Sequence, residues 1–273
     1  MPATLLGIVA AVAASVPAVV RAEIADDRGG LRYDFVVDGV VTGVGFAFWA
    51  GTELAKRPLL PSVCRWCDAN AFDSGARTSL AWDNANAAII ASNVGAFGLV
   101  PLAGLGMTAV AARHDGRLPE MLGNALIVAE SVALAGDLSQ IVKFAAVRER
   151  PFVHALPADQ KPLTDSPTDN NVSFYSSHSS FAFALAVSSG TIASMRRYRL
   201  APAVWAAGLV AAASVGYLRI AADKHYLTDV LVGAGMGSAF GWAVPYLFHR
   251  TGTALAVSPS PGGGGQLLIA ARW

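Results

Sequence analysis

Between Val37 and Phe248 the chain is a succession of long apolar segments separated by short polar ones, and this pattern restricts its fold more than any other feature. The segments are too long for ordinary strands and show little β-branched alternation, so each reads as a helix. Six helices are expected, near residues 37–54, 84–112, 121–147, 178–195, 201–220 and 226–248. Charged residues make up only 14% of the chain, where about 25% is usual, so much of the helical surface must meet lipid or another helix. Leu200–Leu218 and Val230–Phe248 come close to the roughly 20 apolar residues that a bilayer crossing takes. The segment from Gly39 to Thr52 is shorter and is flanked by Asp38 and Glu53. The expected class is all-α, a membrane-associated six-helix bundle.

Within the third helix Glu130 and Asp137 are seven residues apart and so share a face, which inside a membrane must point into the bundle. Interhelix hydrogen bonding is the reading that fits them best. Residues 1–22 are apolar and alanine-rich, and Val20-Arg21-Ala22 suits signal-peptide cleavage. No Lys or Arg precedes that stretch, so an uncleaved N-terminal helix is the alternative. Residues 23–250 make the helical domain, and residues 251–273 a glycine-rich tail, read as a flexible linker followed by a short strand or helix. Two linkers look irregular, Lys56–Asp83 and Pro151–Asn171, and the second suits a lid or substrate-contacting loop. The only cysteines, Cys64 and Cys67, read first as a short-range disulfide, then as free thiols, and last as a redox dithiol. A formal net charge of +1 offers no global attraction to nucleic acid, which is excluded as a partner.

Three polar patterns follow one another in the second half of the chain. In the first, Lys143 and Arg150 are seven apart, which on a continuing helix aligns both cations on one side, with Pro151 marking the helix end. Two such cations can hold an oxyanion, the Arg bidentately. Read alone, the run is a juxtamembrane basic cluster, and Arg148 fits that reading better. In the second, Ser176 or Ser177 caps an apolar helix whose free N–H groups suit an anion, with His178 at its edge. A single histidine at a helix start is otherwise structural. In the third, Arg219 precedes His225 and Asp229, and the latter two are four apart, neighbours on a helix. A carboxylate on one ring nitrogen raises the basicity of the other, as a histidine nucleophile needs. A metal site on the same pair is disfavoured, because Lys143, Arg150 and Arg219 would repel a cation.

These patterns resemble those of the type 2 phosphatidic acid phosphatase (PAP2) superfamily, which includes bacterial acid phosphatases and vanadium haloperoxidases. Its pattern is KxxxxxxRP, then PSGH, then SRxxxxxHxxxD. Lys143, Arg150 and Pro151 match the first, Ser176 and His178 the second, and Arg219, His225 and Asp229 the third. Tyr175, Ser177 and Leu218 depart from it, and Ser177 would narrow the approach to phosphate where glycine stands in the family. The resemblance covers roughly Val128–Tyr246. It implies a helical bundle of the PAP2/haloperoxidase type and a metal-independent phosphatase without a cofactor. His225 would be the nucleophile, Asp229 its orienting partner and His178 the acid and base. Lys143, Arg150, Arg219 and Ser176, with Ser177 beside them, would bind phosphate. The substrate would be a phosphorylated lipid or isoprenoid, or a small phosphoester. A vanadate-dependent haloperoxidase and a non-catalytic lipid-phosphate binder are the alternatives.

The loops opposite the motifs carry Arg113, Arg117, Arg196, Arg197 and Arg199, which the positive-inside rule makes cytoplasmic. That leaves the motifs and the cysteines on the outer face of a bacterial-type inner membrane, with the site facing the periplasm. A cleaved signal peptide would invert this topology, or else belong to a wholly periplasmic bundle.

Overall fold

The computed structural model describes residues 24–25, 30–61, 63–251, 253–260 and 264–271. The N-terminal segment 1–22, read as a signal peptide or apolar helix, lies outside the described residues. The helices are α1 (Val37–Leu54), α2 (Lys56–Leu59), α3 (Ala71–Leu80), α4 (Ala85–His114), α5 (Met121–Ala146), α6 (Pro151–His154), α7 (Ser177–Met195), α8 (Ala201–Ala221) and α9 (Leu227–Phe248). Six of them are long and match the expected six within a few residues. The other three are short, and α3 was not expected: it falls inside the supposedly irregular stretch Lys56–Asp83. Its local cause is a cap, since the Asn70 side chain accepts the Asp73 N–H at 2.8 Å.

The centre of the bundle is α7, buried along nearly its whole length and packed against α5, α8 and α9. Its contact with α9 is a backbone contact. A Cβ at Gly233, Gly237 or Gly241 would fall 2.6, 2.2 or 2.6 Å from the carbonyl oxygens of Ser176, Ser180 and Ala184. Small residues at four-residue spacing let the two helices touch, and this seats the start of α7 beside the start of α9. On α5, Glu130 reaches at 3.0 Å the ring of His249, the residue just beyond α9, so its long-range bond runs to a helix end and not to a second helix. Asp137 lies against Gly45 of α1, but its buried Oδ1 finds no hydrogen-bond partner among the described residues, so the expected bond is not made there.

Large apolar side chains face outward, among them Val40, Val44 and Phe46 on α1, Ile90, Val94 and Leu102 on α4, and Val210 on α8. Four helical stretches are long and apolar enough to cross a membrane: Ala85–His114, Leu118–Ala146, Ala201–Ala221 and Leu227–Phe248. The tail departs from a single short element after a linker, because Thr253–Ser260 and Gly264–Ala271 pair antiparallel. The apolar alternation at Leu255 and Val257 is the sequence signal for the first of these strands.

Candidate active site

The site forms where the end of α5, the start of α7 and the turn between α8 and α9 converge. Lys143 stands in the last turn of α5, which stops because Val147 takes a left-handed backbone with φ 45°. The expected continuing helix is therefore corrected: Arg150 lies beyond it in extended backbone. Pro151 begins a helix, α6, rather than ending one; its missing N–H needs no partner at a first helical position. The Val147 carbonyl accepts the N–H groups of Arg65 at 3.0 Å and Trp66 at 3.4 Å, and the Glu149 N–H donates to the Trp66 carbonyl at 3.0 Å. The loop closed by the Cys64–Cys67 disulfide is thereby laid along residues 147–149.

Arg148 is not a lipid-facing cation of a juxtamembrane cluster. It is 1% exposed and donates to Asp229 at 2.6 Å, Asp73 at 2.7 Å and Thr228 at 2.9 Å. Its guanidinium lies 3.9 Å from the Trp66 ring centre and 4.2 Å from that of Tyr226. A cation so placed gains from both ring faces and cancels much of the cost of two buried carboxylates.

His225 stands before α9 and not on it, since Tyr226 is the residue that caps that helix. The direct His225–Asp229 bond expected from helical spacing is absent, for Asp229 Oδ2 is 3.8 Å from Nδ1, beyond hydrogen-bond range. Nδ1 instead lies 2.8 Å from the Ser173 carbonyl. A carbonyl only accepts, so Nδ1 carries the hydrogen and Nε2 keeps its lone pair. Asp229 acts one step back: its carboxylate accepts the Ser173 hydroxyl at 2.6 Å and the Tyr226 N–H at 2.9 Å.

Around Nε2 stand cations without counterions. Arg150 Nη1 is 3.5 Å from Nε2, and the same guanidinium donates to the carbonyls of Asp169 at 2.6 Å and Lys224 at 2.9 Å. Arg219 donates to the Ser92 hydroxyl at 3.0 Å. Lys143, Arg150 and Arg219 are 6%, 7% and 5% exposed, and among the described residues none of them pairs with a carboxylate. The nearest carboxylates, Glu53 and Asp169, are engaged by Lys56. Burial, and then the charges of Arg150, Arg219 and Lys143, hold the His225 ring well below its ordinary 6.5, so it is neutral at pH 7. Above these groups opens a cavity of about 150 Å³ lined by Arg150, Arg219, Lys224, Phe152 and the loop residues Asp165 and Asp169.

Ser176 caps α7, its hydroxyl accepting the Ser179 N–H at 3.3 Å. The Ser177 hydroxyl meets that of Ser139 at 2.7 Å. The His178 Nε2 meets Asn93 Oδ1 at 2.9 Å, and its ring packs on Phe97. It lies within electrostatic reach of His225, Arg219, Lys143 and Arg150.

The model of the PAP2 superfamily matches residues 124–252, a range that contains every motif residue described above. That region belongs to the PAP2 superfamily. No protein of curated function matches the chain in sequence. Among solved structures, a transmembrane PAP2-type phosphatidylglycerolphosphate phosphatase from Bacillus subtilis is similar, at 18% identity over 76% of this chain and 93% of that one. The TM-score is 0.43, too loose for that enzyme's substrate or geometry to be carried over.

Sequence reasoning missed Asp73, Ser173, Asn93, Trp66 and Lys224. Only Asp73 had a readable signal, the Asn70-x-x-Asp73 capping pattern. The others are placed by contacts distant in sequence.

Proposed function

We propose that the protein hydrolyses the phosphomonoester or diphosphate of a lipid or isoprenoid through a phosphohistidine at His225, without a metal in the reaction. The observation that carries this reading is the set of three buried, unpaired cations around a histidine nitrogen whose lone pair is free. Unpaired buried charge is costly, and an oxyanion removes that cost. Nε2 attacks phosphorus as the ester oxygen leaves, and Lys143, Arg150 and Arg219 take up the charge spread over the nonbridging oxygens. The Ser173 carbonyl holds the Nδ1 hydrogen of the imidazolium that forms, with Asp229 and Arg148 fixing Ser173 and Asp229 in turn. Asn93 takes Nε2–H of His178 and leaves Nδ1 for proton transfer. Burial, and then the neighbouring cations, hold His178 far below its ordinary 6.5, so it takes up its proton only once a bound phosphate offsets those cations. It then gives that proton to the leaving alkoxide and accepts one from the water that attacks phosphorus and breaks the N–P bond.

The outward apolar side chains and the four candidate spans favour a lipid substrate held at the membrane surface. The opposite end of the bundle carries a cavity lined by Arg117, Arg196, Arg197 and Arg199, which supports a cytoplasmic face there and a periplasmic site. Purified protein should release phosphate from a lipid-phosphate panel in EDTA and form an acid-labile phosphoenzyme, both lost in His225→Ala. Phosphate release that survives this substitution would overturn the assignment. Labelling of reduced Cys64 and Cys67 in intact cells by an impermeant thiol reagent tests the orientation.

A further inference from the structure

Far from His225, a second buried polar cluster joins three distant parts of the chain. Asp38 opens α1, Glu130 lies midway along α5, and His249 follows α9 directly. Glu130 and Lys143 are thirteen positions apart on one helix, about 20 Å along its axis. The His249 Nδ1 is 2.9 Å from the Arg32 carbonyl, which only accepts, so Nδ1 carries its hydrogen. The other nitrogen, Nε2, faces Glu130 Oε2 at 3.0 Å. A lone pair cannot face a carboxylate oxygen at that distance without a proton or a metal ion between them. Asp38 Oδ2 approaches the same ring, 3.9 Å from Nδ1, and one ligand atom from each of the three residues lies within 4.8 Å of the other two.

We infer that Asp38, Glu130 and His249 bind one divalent transition-metal ion of the zinc type, at a site separate from the phosphatase centre. The donor set of one imidazole and two carboxylates is a zinc set, and two ligands at tetrahedral angles on zinc stand roughly 3.4 Å apart, near the 3.0 Å between His249 Nε2 and Glu130 Oε2, with Asp38 within 4.8 Å. The Nδ1–H bond to a backbone carbonyl is the support that a metal-bound histidine ordinarily has. Asp34 and Asp38 line the adjoining cavity and Glu130 touches His249, so among the described residues the surroundings bring carboxylate charge that suits a cation. The cavity, about 70 Å³, has room for about two waters, enough for a fourth ligand. The ion would tie residues 31–38 to α5 and to the end of α9. The Arg32 N–H to His249 carbonyl bond of 2.7 Å already draws the same segments together.

The test uses the full chain in detergent, stripped with EDTA, dialysed, and titrated with Zn²⁺. One zinc per chain is expected, with a higher melting temperature, and His225→Ala should still bind it. His249→Gln and Glu130→Gln should weaken binding at least tenfold. Wild type that stays folded and binds under a tenth of an equivalent overturns the site, since a proton then suffices between Nε2 and Glu130. Unchanged affinity in His249→Gln overturns it as well. Should both variants fail to fold, Co²⁺-loaded wild type decides: one hyperfine-shifted exchangeable imidazole N–H is expected, and its absence sinks the proposal.

Discussion

Arg148 and Arg150 stand two residues apart, are both buried, and do opposite things with their charge. The guanidinium of Arg148 is spent on Asp229 and Asp73 and sandwiched between Trp66 and Tyr226. That of Arg150 donates to two carbonyls, touches the His225 Nε2, and among the described residues meets no carboxylate. Paired buried charge builds the frame, and unpaired buried charge waits for a ligand. The contrast is set by neighbours distant in sequence: Asp73 of α3 and Asp229 of α9 reach Arg148, whereas backbone carbonyls and the His225 ring reach Arg150.

The largest effect that this contrast predicts is on stability. Arg148→Met leaves Asp229 and Asp73 buried without their cation and should cost about 3–5 kcal/mol, read as a fall in melting temperature in detergent. A variant that melts like wild type would break the comparison. Arg150→Met should leave the melting temperature unchanged or raise it, while phosphate release falls by about 10²–10³-fold, the usual effect of removing one such donor. If instead it unfolds the protein, Arg150 belongs to the frame too.

A smaller effect sharpens the ligand half of the contrast. Phosphate or vanadate at a hundred times its dissociation constant should stabilise wild type by about 2.7 kcal/mol, and Arg150→Met and Arg219→Met should abolish this shift. The smallest effect concerns protons. Because burial and then Arg150, Arg219 and Lys143 depress the folded value of His225, the unfolded chain takes up this proton first as pH falls through 6.5. Stability from this group is thus full above pH 6.5 and declines below it, toward the folded value. Melting curves between pH 7.5 and 5 should be steeper in pH for wild type than for His225→Gln, and equal slopes would remove the buried-histidine argument.

The six long helices were legible because apolar periodicity is a local signal that survives in a single chain. The identities of Lys143, Arg150, Ser176, His178, Arg219, His225 and Asp229 were legible as well, since their order and spacing are written in the sequence. Their partnerships were not. Helical spacing suggested a direct His225–Asp229 bond, whereas the helix starts two residues too late for it and Ser173 stands between them. Arg148 looked like a surface cation because nothing local announces Asp73, 75 residues away. Ser177 looked like part of a phosphate cradle, and its contact with Ser139 could not be read from the sequence.

By itself the sequence determined the helical class, the lipid-compatible surface and the inventory of chemical groups, because these depend on residue type and on periods shorter than two helical turns. Only the tertiary structure decided which charges are paired and which are left open. That outcome depends on where helices end and which ends meet, a matter of packing across the whole chain: the close contact of α7 with α9, and the turn at Val147.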